Sequence, residues 1–316
     1  MNSSLANLFR ANWTASIALT VSILVFCMIA PGIMPAPALN PVQTEESGMR
    51  IYHDLAYTPD ARPSQSLDLY LPKAPSKQPL PVVILIHGGG WLGGDKADFA
   101  GVAHEFVSRG FAVAIINYRL SKENIWPAQI LDCKSAVRWL RANANIYNLD
   151  SKRFVAGGHS SGAHLAAFLA ATNGIKDFDK GANLASSSDV QAVLWFSGIA
   201  NLITRASTPG YEIVQNKKSD QSQLIGGPTL ENRVVALQAS PVNWVSNKTA
   251  PFFFEAGTAD KVVPSNQIAE MQDALKKHGI YSEVYWLNGV GHFSPEFFDT
   301  RHLDLMHRFL KKVLAL

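Results

Sequence analysis

The chain has 316 residues, of which 47% are hydrophobic and 17% charged, and its formal net charge is +3. That length suits one large α/β domain or two small ones, and the composition excludes a disordered chain. Lys and Arg are scattered, without a basic block or an aromatic-basic alternation, so nucleic acid is excluded as a partner.

From Ala11 to Thr44 no side chain is charged, Arg10 precedes the stretch, and Ala15 to Ala30 is a nearly continuous apolar run ended by Pro31-Gly32. As a helix this run would cover about 24 Å, less than the ~30 Å hydrocarbon core. Residues 1–38 therefore read as a signal peptide, with Ala36-Pro37-Ala38 as the small-residue cleavage site, or as an uncleaved membrane anchor. Either reading places the rest of the chain outside the cytoplasm, secreted, periplasmic or tethered to the membrane, because Arg10 stays inside. Cys27 lies in this segment and Cys133 in a helical pattern, so the two cysteines make no disulfide framework.

Residues 39–49 are rich in Pro, Gln, Glu and Ser and read as a linker, and residues 50–316 as one folded domain. The domain opens with Arg50 to Thr58 and Leu67 to Leu71, alternating segments suited to antiparallel edge strands. Val82 to Ile86 is continuously apolar, as in a strand buried on both faces. Ala100 to Arg109 predicts a helix stopped by Gly110, and Phe111 to Ile116 a second buried strand. Pro127 to Asn145 predicts a long helix with Ile130, Cys133, Val137 and Leu140 on one stripe. Strands follow at Phe154 onward, Val190 to Phe196, Pro251 to Ala256 and Tyr281 to Leu287. Helices are expected over Pro264 to Lys277 and Phe297 to Leu314. Between them, Gly198 to Ala239 is polar and lacks a strong period. Strands alternating with helices in this way predict an α/β fold, a mostly parallel central sheet with helices on both faces.

In such sheets reactive groups collect on loops past the carboxyl ends of strands. Gly158-His159-Ser160-Ser161-Gly162 fits Gly-x-Ser-x-Gly, a strained turn that lifts a serine hydroxyl clear of the sheet. Serine alone is a poor nucleophile; it needs a neutral imidazole, and that imidazole needs a carboxylate to hold its tautomer. His292 sits in the glycine-flanked loop Gly289 to Phe293, and Asp260 in Gly257-Thr258-Ala259-Asp260-Lys261. The order Ser160, Asp260, His292 is the one this topology produces. Glu255 is the second candidate acid, but it belongs to a strand. His87-Gly88-Gly89-Gly90-Trp91 offers backbone N–H groups to a developing oxyanion, and the Ser161 N–H would complete the hole.

Trp91 and His159 are expected to wall a substrate pocket, although His159 and His164 equally suit shaping the turn around Ser160. Trp91, Trp195 and Trp286 read as core or pocket wall. His278 reads as a helix cap, and Asn247-Lys248-Thr249 is a glycosylation sequon. Gly88 to Gly93 also satisfies Gly-x-Gly-x-x-Gly, but Asn117-Tyr118-Arg119 stands where a ribose-binding acid should close the next strand. No cofactor is expected, and no His/Asp/Glu pairing has metal-ligand spacing on one helix face.

Taken together, these residues resemble the α/β-hydrolase esterases related to hormone-sensitive lipase, and within them the branch of bacterial feruloyl esterase-like and kynurenine formamidase-like enzymes. The resemblance runs from about Arg50 to the C-terminus. It rests on His87 to Trp91, Asn117-Tyr118-Arg119-Leu120, Trp126-Pro127-Ala128-Gln129, Asp132 to Arg141, the Ser160 turn, Ala239-Ser240-Pro241, Gly257 to Asp260 and Gly291-His292-Phe293. It implies an α/β-hydrolase catalytic domain over 50–316, with Gly88, Gly89 and Ser161 as the oxyanion hole and Gly90 beside them.

Ser161 and Ala163 depart from the family's usual Gly-x-Ser-Ala-Gly-Gly, which keeps the backbone N–H and adds one methyl. The helical N-terminal cap of lipase-like members is missing, so any lid is a small insertion drawn from 198–239, suited to short or soluble esters. The expected activity is carboxylic-ester hydrolysis of short-chain or aryl esters through an acyl-enzyme. An amide hydrolase, an aryl formamidase or peptidase on the same triad, is the alternative.

Overall fold

A computed structural model describes residues 42–316; the signal-or-anchor reading of 1–38 lies outside the described residues. In chain order the strands are β1 (Val42–Glu46), β2 (Met49–Ala56), β3 (Ser66–Pro72), β4 (Leu80–Ile86), β5 (Ala112–Ile116), β6 (Leu149–His159), β7 (Ala192–Phe196), β8 (Phe252–Gly257) and β9 (Ser282–Leu287). The main helices are α1 (Ala100–Ser108), α2 (Ala128–Ala142), α3 (Ser161–Ala171), α4 (Leu202–Ser207), α5 (Asp220–Ile225), α6 (Arg233–Gln238), α7 (Asn266–Lys277) and α8 (Thr300–Leu314).

Among the described residues one sheet holds all nine strands in the order β1-β2-β3-β5-β4-β6-β7-β8-β9. From β5 to β9 neighbours run parallel, while β1, β2 and β3 add an antiparallel wing that pairs onto β5. This is the α/β-hydrolase architecture, and its centre falls where the sequence is most apolar. Every residue of β4 and β5 is buried, because helices cover both faces. Val82, Ile84 and Ile86 point to a core shared with α2, α3 and α7, and Val83 and Leu85 to one shared with α1 and α8. All eleven residues of α3 are buried, and its alanines let it lie close against the sheet behind Ser160.

The structure corrects the sequence reading in two places. Val42–Glu46, expected as linker, pairs antiparallel with β2. All five of its side chains are exposed, so main-chain hydrogen bonds hold it, helped by Thr44 Oγ1 bonded to His53 Nε2 at 3.0 Å and Glu45 paired with Lys73 at 2.9 Å, and it leaves no apolar alternation to read. The helix expected from Pro127 to Asn145 ends at Ala142, followed by a separate turn over Ala144–Tyr147 that Asn148 closes in the left-handed region.

The stretch 198–239 condenses into α4, α5 and α6, each of six residues and too short to show a helical period. It reaches the loops at the carboxyl ends of the strands: Leu224 O accepts from Trp126 N at 2.8 Å, and Tyr211 Oη donates to Asp260 O at 3.1 Å.

Candidate active site

Strand β6 meets α3 at Ser160, whose φ of 57° and ψ of −119° lie in a region that costs a non-glycine residue about 1–3 kcal/mol. The corner is tight enough to exclude side chains on either side. A Cβ at Gly158 would stand 2.5 Å from the carbonyl carbon of Gly162, and one at Gly162 would stand 2.0 Å from Ile86 O. Ser160 N donates to Phe196 O at 2.9 Å, fixing the turn to β7. The N–H of Ser161 opens α3, where the helix dipole favours negative charge.

The loops after β8 and β9 are stitched to each other. Ala259 N donates to Val290 O at 2.9 Å, Thr258 N to Leu287 O at 2.9 Å, and Gly289 N to Thr258 Oγ1 at 2.8 Å. This brings Asp260 to His292. The imidazole Nδ1–H donates to Asp260 Oδ2 at 2.8 Å, and Ser160 Oγ donates to Nε2 at 2.9 Å. Asp260 Oδ1 accepts from Val262 N at 2.8 Å and Val263 N at 3.0 Å, so both carboxylate oxygens are engaged. Burial opposes the charge of Asp260, yet the bond to His292, the attraction to it and the two N–H donors outweigh burial and hold the carboxyl below its usual range.

The glycine loop lies alongside. A Cβ at Gly88 would be 3.1 Å from His159 O and 3.5 Å from Ser160 Cβ, so its backbone borders the serine. His87 anchors the loop: Nδ1–H donates to Gly88 O at 2.8 Å, and the ring stacks on Tyr118 at 4.3 Å between centroids. Burial pulls its imidazole below the ordinary value, so it serves as a neutral donor. Gly90, with a φ of 61°, faces the insertion, where a Cβ would stand 2.9 Å from Asp220 Cβ. Buried Arg205 reaches Asp220 Oδ2 at 3.4 Å and Gln221 Oε1 at 3.3 Å, tying α4 to α5 over this loop.

The structure thus brings Ser160, Asp260, His292, Gly88 and Ser161 to one rim of the sheet, with Gly89 adjacent in the chain. It does not bring Trp91 there as a wall. With a φ of 57°, Trp91 turns inward, is fully buried, and meets the His164 ring edge-on at 5.1 Å. His159 faces the His292 loop: its Nε2–H donates to His292 O at 2.7 Å, and its ring lies 4.6 Å from that of His292 and 4.7 Å from that of Phe293. Glu255 is buried in β8 and contacts His302 Nδ1 of α8, away from the His292 bond.

Sequence reasoning also missed Tyr211, which bonds Asp260 from within the insertion, and the Arg205 and Asp220 pair against Gly90. None of these carries a local motif. The only available signal was polar and aromatic residues in a segment otherwise read as lid.

A family model described as BD-FAE matches residues 67–275. The chain is 30% identical over 247 residues to a probable carboxylic ester hydrolase, LipM, of Mycobacterium tuberculosis, covering 75% of this chain and 56% of that protein. It spans about half the length of the curated relatives it matches. Among solved structures, a truncated carbohydrate esterase from gut microbiota superposes with a TM-score of 0.79 at 29% identity, covering 87% of this chain and 100% of that one. A bifunctional GH43-CE protein of Bacteroides eggerthii superposes with a TM-score of 0.73 at 30% identity, covering 83% and 38% respectively.

Proposed function

The chain belongs to the BD-FAE family, and from that premise we propose that it is a serine carboxylic-ester hydrolase working through an acyl-enzyme. The observation that carries the reading is the unbroken relay Ser160–His292–Asp260, at 2.9 Å and 2.8 Å, assembled from three separate loops. A structural histidine has no need of a strained serine on one ring nitrogen and a charged carboxylate on the other.

In the first half-reaction Ser160 Oγ attacks the ester carbonyl carbon while His292 Nε2 takes its proton. Asp260 keeps Nδ1 protonated and steadies the imidazolium. The backbone N–H groups of Gly88 or Gly89 and of Ser161 receive the oxyanion, each donor worth about 2.7–4 kcal/mol in the transition state. His292 then returns the proton to the leaving alkoxide. In the second half-reaction it draws a proton from the water that attacks the acyl carbon and returns it to Ser160 Oγ as the C–Oγ bond breaks and the acid leaves.

The substrates we propose are short acyl groups esterified to a carbohydrate. Support comes from the gut carbohydrate esterase, whose whole length this chain covers. The extracytoplasmic or membrane-tethered location expected from residues 1–38 belongs to the same proposal, and fractionating cells that express the full chain tests it.

Hydrolysis of p-nitrophenyl acetate tests the reaction class. Ser160→Ala should lower turnover at least ~10³-fold and abolish labelling by a fluorophosphonate probe. Equal turnover in the variant and the parent refutes the assignment.

A further inference from the structure

The acid of the triad is held from two sides. Within its own loop, Asp260 Oδ1 accepts from Val262 N and Val263 N. From outside, the insertion reaches the main chain of the same turn: Tyr211 Oη donates to Asp260 O at 3.1 Å, and Arg205 Nη2 to Val262 O at 3.5 Å. Neither contact is made to the carboxylate, so both bear on where the turn sits.

The insertion can bear on it because its first half is itself fixed. The start of α4 docks on α7 through Gln267, which is fully buried. Its Oε1 accepts from Ala200 N at 3.0 Å and Asn201 N at 2.9 Å, and its Nε2 donates to Thr204 Oγ1 at 3.0 Å. One helical turn on, Asn266 Nδ2 donates to Thr208 Oγ1 at 2.9 Å. Gly210, with a φ of 86°, then turns the chain back, and Tyr211 N donates to Thr208 O at 3.1 Å. Because α7 opens at Asn266, just past the acid's turn, the path from Asp260 through Asn266, Thr208 and Tyr211 closes on itself. A buried polar group left unpaired costs about 1–3 kcal/mol, so Gln267 specifies this arrangement over others.

Tyr211 is drawn inward although the residue two places on, Ile213, is 78% exposed. Its ring also walls a cavity of about 340 Å³ that Asp260 borders, so contact with a bound molecule is the competing role. The two roles separate in kinetics: a wall acts on KM, whereas a support of the acid acts on kcat.

We propose that Tyr211 is a positioning residue of the triad. Its hydroxyl fixes the Asp260 turn, and through the 2.8 Å bond to Nδ1 the imidazole of His292, so the insertion completes the relay as well as covering the rim. The proposal rests on the serine-hydrolase reading, in which Asp260 orients His292.

Tyr211→Phe removes the hydroxyl and keeps the ring, and circular dichroism checks that the fold persists. On p-nitrophenyl acetate kcat should fall ~10-fold with KM within about twofold, since a displaced acid misplaces the base in the transition state. The acid limb of the kcat/KM profile should move to lower pH, because a loosened carboxylate steadies the imidazolium less. In Asp260→Asn protein the acid no longer orients the base, so adding Tyr211→Phe there should cost less than about twofold further. The same ~10-fold loss in both backgrounds, a kcat held while KM rises, or an acid limb that stays in place overturns the proposal. An Asp260→Asn protein as active as the parent would instead overturn the relay itself, so the two readings fail separately.

Discussion

The imidazole of His159 holds the main-chain carbonyl of His292, its Nε2–H donating at 2.7 Å. The residue before the nucleophile thereby fixes the loop that carries the base, and the two reacting side chains share one support. Burial, reinforced by the neighbouring His292, pulls the His159 imidazole down to about 4, so it is neutral at physiological pH. A neutral donor holds the carbonyl without placing a second positive charge beside the base.

His159→Phe should keep the ring contacts but release the carbonyl. Misplacing the base by a fraction of an ångström predicts a kcat lowered ~10–100-fold with little change in KM. His159→Gln, which retains an N–H donor, should recover part of the loss. Steady-state kinetics separates this positioning role from a wall of the acyl pocket, for which KM would rise while kcat held.

The turn at Ser160 predicts a sharp contrast between two Gly→Ala changes. In Gly162→Ala the new methyl would meet Ile86 O at 2.0 Å and His87 O at 2.6 Å, which are backbone atoms of the central strand and the glycine loop. A loss above ~4 kcal/mol and failure to give soluble protein are expected. Gly101 in α1 has open space around its Cβ position and ordinary helical backbone. Gly101→Ala should therefore raise stability by about 0.5–1 kcal/mol in urea unfolding.

Much of this was legible because the apolar runs are unambiguous. Val82–Ile86 and Ala112–Ile116 can be stable only between two covered faces, and that fixes the sheet centre and the rim where loops must meet. Ser160, Asp260 and His292 stand out since each sits beside glycines just past a strand. The strand at Val42–Glu46 was hidden because its side chains are all exposed, so no apolar alternation marks it and its pairing shows only in main-chain hydrogen bonds and a few surface polar contacts. Trp91 was misplaced because sequence does not reveal a φ of 57°, which swings the indole into the core. A cavity bordered by Asp260 is lined from β7, β8, β9, α7 and the insertion, so only folding joins its walls.

His164 predicts a loss of stability in acid. Fully buried against Trp91 and Trp126, with Nε2–H donating to Ala239 O at 2.6 Å, it is pulled from 6.5 down to about 4, chiefly by burial. Between those values the unfolded chain takes up a proton that the folded state refuses, so stability is complete above pH 6.5 and declines as pH falls toward 4. The contribution at stake is about 3 kcal/mol. Urea unfolding at pH 7 and pH 4.5 should show the decline, and His164→Gln should show a shallower one. Equal slopes in parent and variant would remove His164 as the cause.

Glu255 and Asp260 are neighbouring acids with opposite fates, and substituting each by its amide separates them. Burial, with Asp299 nearby, pushes Glu255 up to about 9, so at neutral pH the folded protein holds it protonated against His302. Its folded value lies above the ordinary 4.5, so the unfolded chain releases the proton first. The stability it contributes is complete below pH 4.5 and is lost as pH rises toward 9. Glu255→Gln mimics the protonated form, and its melting temperature should fall less than the parent's between pH 6 and pH 9. Its turnover should stay within about threefold of the parent's, because Glu255 makes no contact with the relay. Asp260→Asn replaces a charged acceptor with an amide that cannot hold the Nδ1–H tautomer or steady the imidazolium. Here kcat should drop ~10³–10⁴-fold with the fold intact. If Glu255→Gln were the crippled variant and Asp260→Asn the active one, the acid of the triad would have to be reassigned.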